Sequence, residues 1–235
     1  MRSRDAGMTE CLLDNVAWHA LCRYQARYSE GTDDARRYAR GFSPIIGFAD
    51  PARPNFAALS PFCEPGEHFY VDGWTGDPPA GWCVDAESTA VRMIWAGGIP
   101  DPDDAHGLSA LRLEHVGQAL ELTALTRPGP FGPRTLELGA YVGCFDGDQL
   151  VAMAGERMFA GSFREVSGVC THPAFQGLGL ARRLIIQLVW QQLQRGETPF
   201  LHVMQDNHRA RSLYERIGFR DHRMTVVRAV SKEQA

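Results

Sequence analysis

The chain has 235 residues, 44% of them hydrophobic and 22% charged, with a formal net charge of −4. That is enough apolar matter for one large core or two small ones, and it excludes a disordered polyelectrolyte. No run of about 18 apolar residues offers a membrane span, and no basic run interleaved with aromatics suggests nucleic acid.

Lys232 is the only lysine, a bias that GC-rich codon usage explains. From Gly155 onward there are 12 basic and 7 acidic residues, against 12 and 21 before it, so the C-terminal part suits an anionic ligand. Cys11, Cys22, Cys63, Cys83, Cys144 and Cys170 form no C-x-x-C pair and suggest neither a disulfide framework nor a metal site. Residues 1–14 lack the apolar core of a signal peptide. A cytoplasmic protein with reduced thiols is the expectation.

Residues 15–28 have the apolar spacing of a helix, and the short apolar runs 45–48, 68–71 and 91–95 read as strands. Turn formers and acids concentrate at 97–107, which predicts a boundary between an N-terminal α/β region, 1–107, and a second domain, 108–235. Beyond it the pattern predicts a strand at 111–113, a helix at 116–126 ended by Arg127-Pro128-Gly129-Pro130, and a short helix at 134–138. A hairpin follows, 141–145 and 150–159, turning at Asp146-Gly147-Asp148. Then come a strand at 164–171, a helix at 178–195, a strand at 200–204, a helix at 210–217 and a strand at 224–230.

The segment Thr171-His172-Pro173-Ala174-Phe175-Gln176-Gly177-Leu178-Gly179-Leu180-Ala181 joins a strand to a helix through a glycine-rich turn. Such a turn points backbone N–H groups and a helix N-terminus at one spot, where a pyrophosphate fits. Gly177 and Gly179 keep the approach open, and Arg182 and Arg183 add positive charge. The P-loop and the dinucleotide fingerprint both fail: no Gly-Lys-Ser/Thr occurs, and Arg182 stands where the third glycine belongs. A tight turn without a ligand would show the same glycine pair. Further on, Asn207 or Asp206 can cap a helix whose Ala210, Leu213, Tyr214 and Ile217 share one apolar face. On that pattern alone Tyr214 is a core residue.

Gln176-Gly177-Leu178-Gly179-Leu180-Ala181 resembles the Q/R-x-x-G-x-G/A motif of the GNAT superfamily of N-acetyltransferases. Asn207-His208-Arg209-Ala210-Arg211-Ser212-Leu213-Tyr214-Glu215-Arg216-Ile217-Gly218-Phe219 is similar to the family's N-x-x-A-x-x-L-Y-x-x-x-G-F helix, and the order of elements matches from about residue 108 to 230. The likeness is nearest to the branch with glycine N-acyltransferase-like proteins. It implies an α/β (α+β) GNAT fold, a mixed and mostly antiparallel sheet flanked by helices, with the strands at 164–171 and 200–204 parallel and splayed at one end. The N-terminal region is expected to be a smaller α/β unit, read as a degenerate half of the same fold.

The resemblance implies acetyl-CoA or another acyl-CoA as co-substrate, with no metal. Its cofactor-binding residues are Val169, Cys170, Thr171, Gln176, Gly177, Leu178, Gly179, Leu180, Ala181, Asn207 and Tyr214. Tyr214 corresponds to the proton donor to the leaving thiolate, and backbone N–H groups of 169–171 would hold the oxyanion. Glu165 is the expected catalytic base, with Glu156 and His202 in reserve. Strand alternation puts Glu165, Ser167, Val169 and Thr171 on one face unless a bulge intervenes. An acyl-Cys170 intermediate lacks a spaced His/Asp partner. The acceptor is a small-molecule or peptide amine, with no nucleic acid or membrane involved and a homo-oligomer left open. The competing readings are a non-catalytic acyl-CoA-binding regulator and a partner-binding N-terminal region anchored by Trp74, Trp82 and Trp95.

Overall fold

The computed structural model describes residues 12–102 and 107–234; Cys11, the start of the segment read for a signal peptide, and residues 103–106 of the expected boundary lie outside the described residues. Strands β1 (Ser29–Gly31), β2 (Ala35–Tyr38) and β3 (Ile46–Phe48) make a small antiparallel sheet. The main sheet is built from β4 (His68–Asp72), β5 (Trp82–Trp95), β6 (Leu108–Ala110), β7 (Tyr141–Asp146), β8 (Gln149–Ala160), β9 (Phe163–Thr171), β10 (Thr198–Met204) and β11 (Phe219–Lys232). Their spatial order is β4-β11-β5-β10-β9-β8-β7-β6. Every neighbouring pair is antiparallel except β9 with β10. Those two are parallel because a helix must cross over between them.

Three longer helices complete the fold: α1 (Val116–Thr126), α2 (Leu180–Gln194) and α3 (His208–Ile217). In α2, the crossover, Leu184, Ile185, Leu188 and Val189 pack on Val91, Val166 and Leu201. On the opposite face Ala119 and Leu122 of α1 cover Tyr141, Met153 and Cys170. This is the mixed, mostly antiparallel sheet with flanking helices that the sequence predicts, with a smaller N-terminal sheet beside it.

Three of the differences from expectation have a clear physical reason. The 91–95 strand is only the end of the 14-residue β5, which pairs with β11 along its length and with β10 over residues 90–94. A strand from before residue 107 thus lies inside the main sheet. The helix expected at 15–28 is α-helical at Val16–His19, opens into a π turn at Ala20–Tyr24 and ends in a 3-10 turn at Ala26–Tyr28. Gln25 explains it. Its fully buried amide donates to Arg157 O at 2.8 Å and accepts from Tyr38 Oη at 2.7 Å, tertiary bonds that outweigh local helix propensity. The strand expected at 111–113 lies three residues earlier, as β6, because Arg112 N donates to His115 Nδ1 and starts a 3-10 turn there.

Candidate active site

β9 and β10 are paired only where Phe163 to Glu165 faces Thr198 to Phe200. Beyond that they part. The divergence coincides with a bulge, since β9 passes from Ser167 to Cys170 while β8 passes only from Gly155 to Met153. Gly168 takes up the extra residue at φ +63°, and an added Cβ there would sit 3.3 Å from the Tyr141 ring. The bulge changes the phase of the strand: Val166 and Val169 both pack toward α2, while Cys170 packs toward α1. Simple alternation had put Val169 and Cys170 the other way round relative to Glu165.

A cleft of about 410 Å³ opens where the strands part. One wall is residues 166–171 with Gln176; the other is His202, Val203 and Met204 with Asn207, Ala210 and Tyr214 from the start and middle of α3. The rest comes from residues 126–130, from Arg157, Met158 and Val227, and from the N-terminal region, including Ala17, Ile45, Val71 and Asp72. Of the expected cofactor residues, Val169, Cys170, Thr171, Gln176, Asn207 and Tyr214 line this one space.

The glycine turn lies at the end of β9. Gly177 and Gly179 have φ of +85° and +75°, and an added Cβ at either would meet nothing within 4 Å. Their glycines therefore serve backbone conformation and leave open space in front. Gly179 caps α2 without a side-chain bond, Leu180 and Ala181 form its first turn, and Leu178 is exposed. The turn presents a helix N-terminus to open space, with Arg182 and Arg183 just inside it. Gln176 accepts from Arg209 Nη1 at 3.0 Å, which ties the turn to α3.

Asn207 Oδ1 accepts from Ala210 N at 3.1 Å and caps α3 as its sequence pattern predicts. Tyr214 is 7% exposed and packs edge-on to Phe219. Burial pushes its phenol up to about 12, so it keeps its proton at neutral pH. Burial likewise pushes the Cys170 thiol up to about 11, which leaves almost no thiolate for an acyl-cysteine route.

Glu165 lies just below the point of divergence and is 1% exposed. Arg157 Nη2 and Nε donate to its two oxygens at 2.7 and 3.0 Å, and Met158 N donates at 3.2 Å. Burial alone would push this carboxyl up, but the Arg157 guanidinium and the His202 hydrogen bond outweigh it and hold the value at about 2. His202 Nδ1 is 2.9 Å from Glu165 Oε1, and Arg92 Nε donates to His202 Nε2 at 3.0 Å. A guanidinium cannot accept, so Nε2 is bare and Nδ1–H donates to Glu165. Arg92 Nη2 continues to Asp72, whose other oxygen accepts the Thr225 hydroxyl.

These bonds form one polar row across a face of the sheet: Asp72 on β4, Thr225 on β11, Arg92 on β5, His202 on β10, Glu165 on β9 and Arg157 on β8. Asp72, His202 and Arg157 also line the cleft. Glu156 is elsewhere, bonded to Gln192 and Arg195 at the end of α2. Sequence reasoning named Glu165 and His202 and missed Asp72, Arg92 and Arg157. A signal existed: Arg92 interrupts the apolar run Val91-Arg92-Met93-Ile94-Trp95 at a position buried between two neighbouring strands.

Comparison with known proteins gives four findings. Residues 141–228 match the family model described as FR47-like protein. The crystal structure of a putative acetyltransferase from the GNAT family of Novosphingobium aromaticivorans is 32% identical, covering 94% of this chain and 99% of that one, with a TM-score of 0.85. The N-alpha-acetyltransferase RimI of Mycobacterium tuberculosis is 38% identical over 82 residues, 34% of this chain; the chain spans about half, 51%, of that relative's length. A GCN5-related N-acetyltransferase-like protein from Streptococcus suis, 15% identical with a TM-score of 0.58 over 92% of both chains, shares the fold.

Proposed function

Because the chain belongs to the GNAT family, we propose that it is an N-acyltransferase that carries an acetyl or other acyl group from acyl-CoA to a primary amine by direct attack in a ternary complex. The observation that carries this reading is a conjunction: a cleft between splayed strands, lined by Gln176 and a protonated tyrosine, and an open glycine turn at a helix N-terminus that follows Gln176 directly in the chain. Residues 108–235 supply the acyl-CoA side and residues 1–107 the acceptor side, even though the two share a sheet. A cytoplasmic setting goes with this reading, and the five described cysteines are free thiols.

Residues 177–181 would take the pyrophosphate, and the edge of β9 from Val169 to Thr171 the thioester arm. In the reaction the acceptor's ammonium first loses a proton to water, the resulting neutral amine forms a C–N bond to the thioester carbon, and backbone N–H groups of 169–171 hold the oxyanion. The C–S bond then breaks, and Tyr214 gives its proton to the departing sulfur. The proton that the attacking nitrogen releases passes through water to the Tyr214 phenolate and restores the phenol. Glu165, whose carboxyl is held near 2 and whose oxygens are already bonded, acts as a positioning residue that fixes His202 and Arg157.

Acetyl-CoA at about a hundred times its Kd should stabilise the fold by ~2.7 kcal/mol, read as a thermal shift. Gly179→Glu should abolish the shift by setting a carboxylate in the phosphate's place. Gly179→Ala shares the backbone strain without the charge and should retain it. Thiol release from acetyl-CoA across a panel of primary amines then tests transfer. No shift with any acyl-CoA would end this reading.

A further inference from the structure

The lining of the cleft contains a single carboxylate, and it comes from the N-terminal region. Among the described residues Asp72, at the end of β4, is the only Asp or Glu that faces it. Its side chain is 24% exposed, while its partner Arg92 is 1% exposed. Arg92 directs all three of its nitrogens inward, to Asp72, to His202 Nε2 and to Leu13 O, and is not part of the lining. Each Asp72 oxygen accepts one bond, from Arg92 or from Thr225, so each retains a lone pair.

The charges of the row cancel, but its exposed parts do not. At the β4 end the cleft is lined by Asp72, whose side chain is partly exposed, and at the β8 end by Arg157, whose side chain is nearly buried against Glu165. Around Asp72 the surface is apolar, from Val16, Ala17, Ile45, Val71, Ala90 and Val227. A cation on an apolar stem fits that end, and an anion does not.

We propose that Asp72 docks the ammonium of the acceptor, and that the acceptor is a primary amine on an apolar stem. This rests on reading the cleft as the acyl-transfer site. An amine with a carboxylate on the adjacent carbon would set that carboxylate against Asp72 and bind poorly. The dipolar row thereby orients the acceptor, its nitrogen toward β4 and its uncharged portion along the apolar wall.

Benzylamine and benzyl alcohol share a stem and differ in charge, so their affinities for the CoA-saturated protein at pH 7 isolate the carboxylate. Calorimetry should show wild type favouring the amine by about tenfold, as for a hydrogen bond to a charged group. Asp72→Asn should bring the two to parity. Because that change strands a buried guanidinium, two further variants guard the test. Arg92→Met keeps the carboxylate and should keep the preference; Arg92→Met with Asp72→Asn removes both charges and should lose it. Parity in wild type, no benzylamine binding, or a preference surviving in the double variant would each overturn the assignment of Asp72. The titration of CoA itself reports separately: failure there sinks the parent reading, whereas CoA binding without amine preference sinks only this one.

Discussion

Between Phe163 and Glu165 the two central strands are hydrogen-bonded to one another, and the space beside them is filled by paired charges. From Val166 outward the same strands part around an open cleft. The closed end gains little net stability from its ions, because desolvating two charges costs about as much as their attraction returns. What it gains is geometry. Arg157, Glu165, His202, Arg92 and Asp72 can each satisfy the others in only one arrangement, so the strands leave the closed end along fixed directions. The open end has few such constraints, and there glycines at positive φ leave the backbone accessible.

The largest expected effect breaks the closed end. Glu165→Gln leaves Arg157 without its counter-ion and should cost about 3–5 kcal/mol in urea unfolding, or roughly 10 °C in Tm. The folded carboxyl sits near 2 against an ordinary 4.5, so its contribution is present above 4.5 and is lost as pH falls toward 2. Unfolding measured across that window should show wild type losing stability that the Gln variant never had. If folded Glu165→Gln instead lost turnover chiefly at low pH and regained it at high pH, Glu165 would be the base after all.

At the open end, Tyr214→Phe should lower kcat by roughly 10²-fold and leave acyl-CoA affinity near wild type, since only a transition-state proton transfer is removed. A purely structural tyrosine would give normal turnover with a stability change of about 1 kcal/mol. Smaller again, Gly177→Ala should cost about 1–2 kcal/mol of stability through its positive φ alone, because its Cβ would meet open space. Gly168→Ala should cost more than Gly177→Ala, having the same kind of strain plus the Tyr141 ring at 3.3 Å. Equal losses in equilibrium unfolding would mean that the Tyr141 ring yields freely.

The open end was largely legible in the sequence, because its parts are local: a strand, a glycine turn and a capped helix follow one another between residues 164 and 217. The closed end was not. Asp72 and Arg92 meet His202 and Glu165 only once β5 has been placed between β10 and β11, a pairing that no local pattern encodes. Gly168 was visible as a glycine but not as a bulge, since its conformation depends on the count of residues in β8. Gln25 misled in the same way, a polar residue on a helical pattern whose partners are the Tyr38 hydroxyl and the backbone of a strand far along the chain.

The placing of β5 also has a consequence for how the chain reaches this state. Trp82 is paired with Lys232 and Trp95 with Phe219, so a strand made early in synthesis has its longest partner only when residues 219–232 have emerged. Until then β5 can pair on one side with β10 at most, and its other edge stays open. Such long-range pairing slows folding, and an unpaired apolar strand is a template for pairing with other chains. During synthesis, β11 can close onto β5 only at the end, and nascent chains that aggregate before then should do so through this edge.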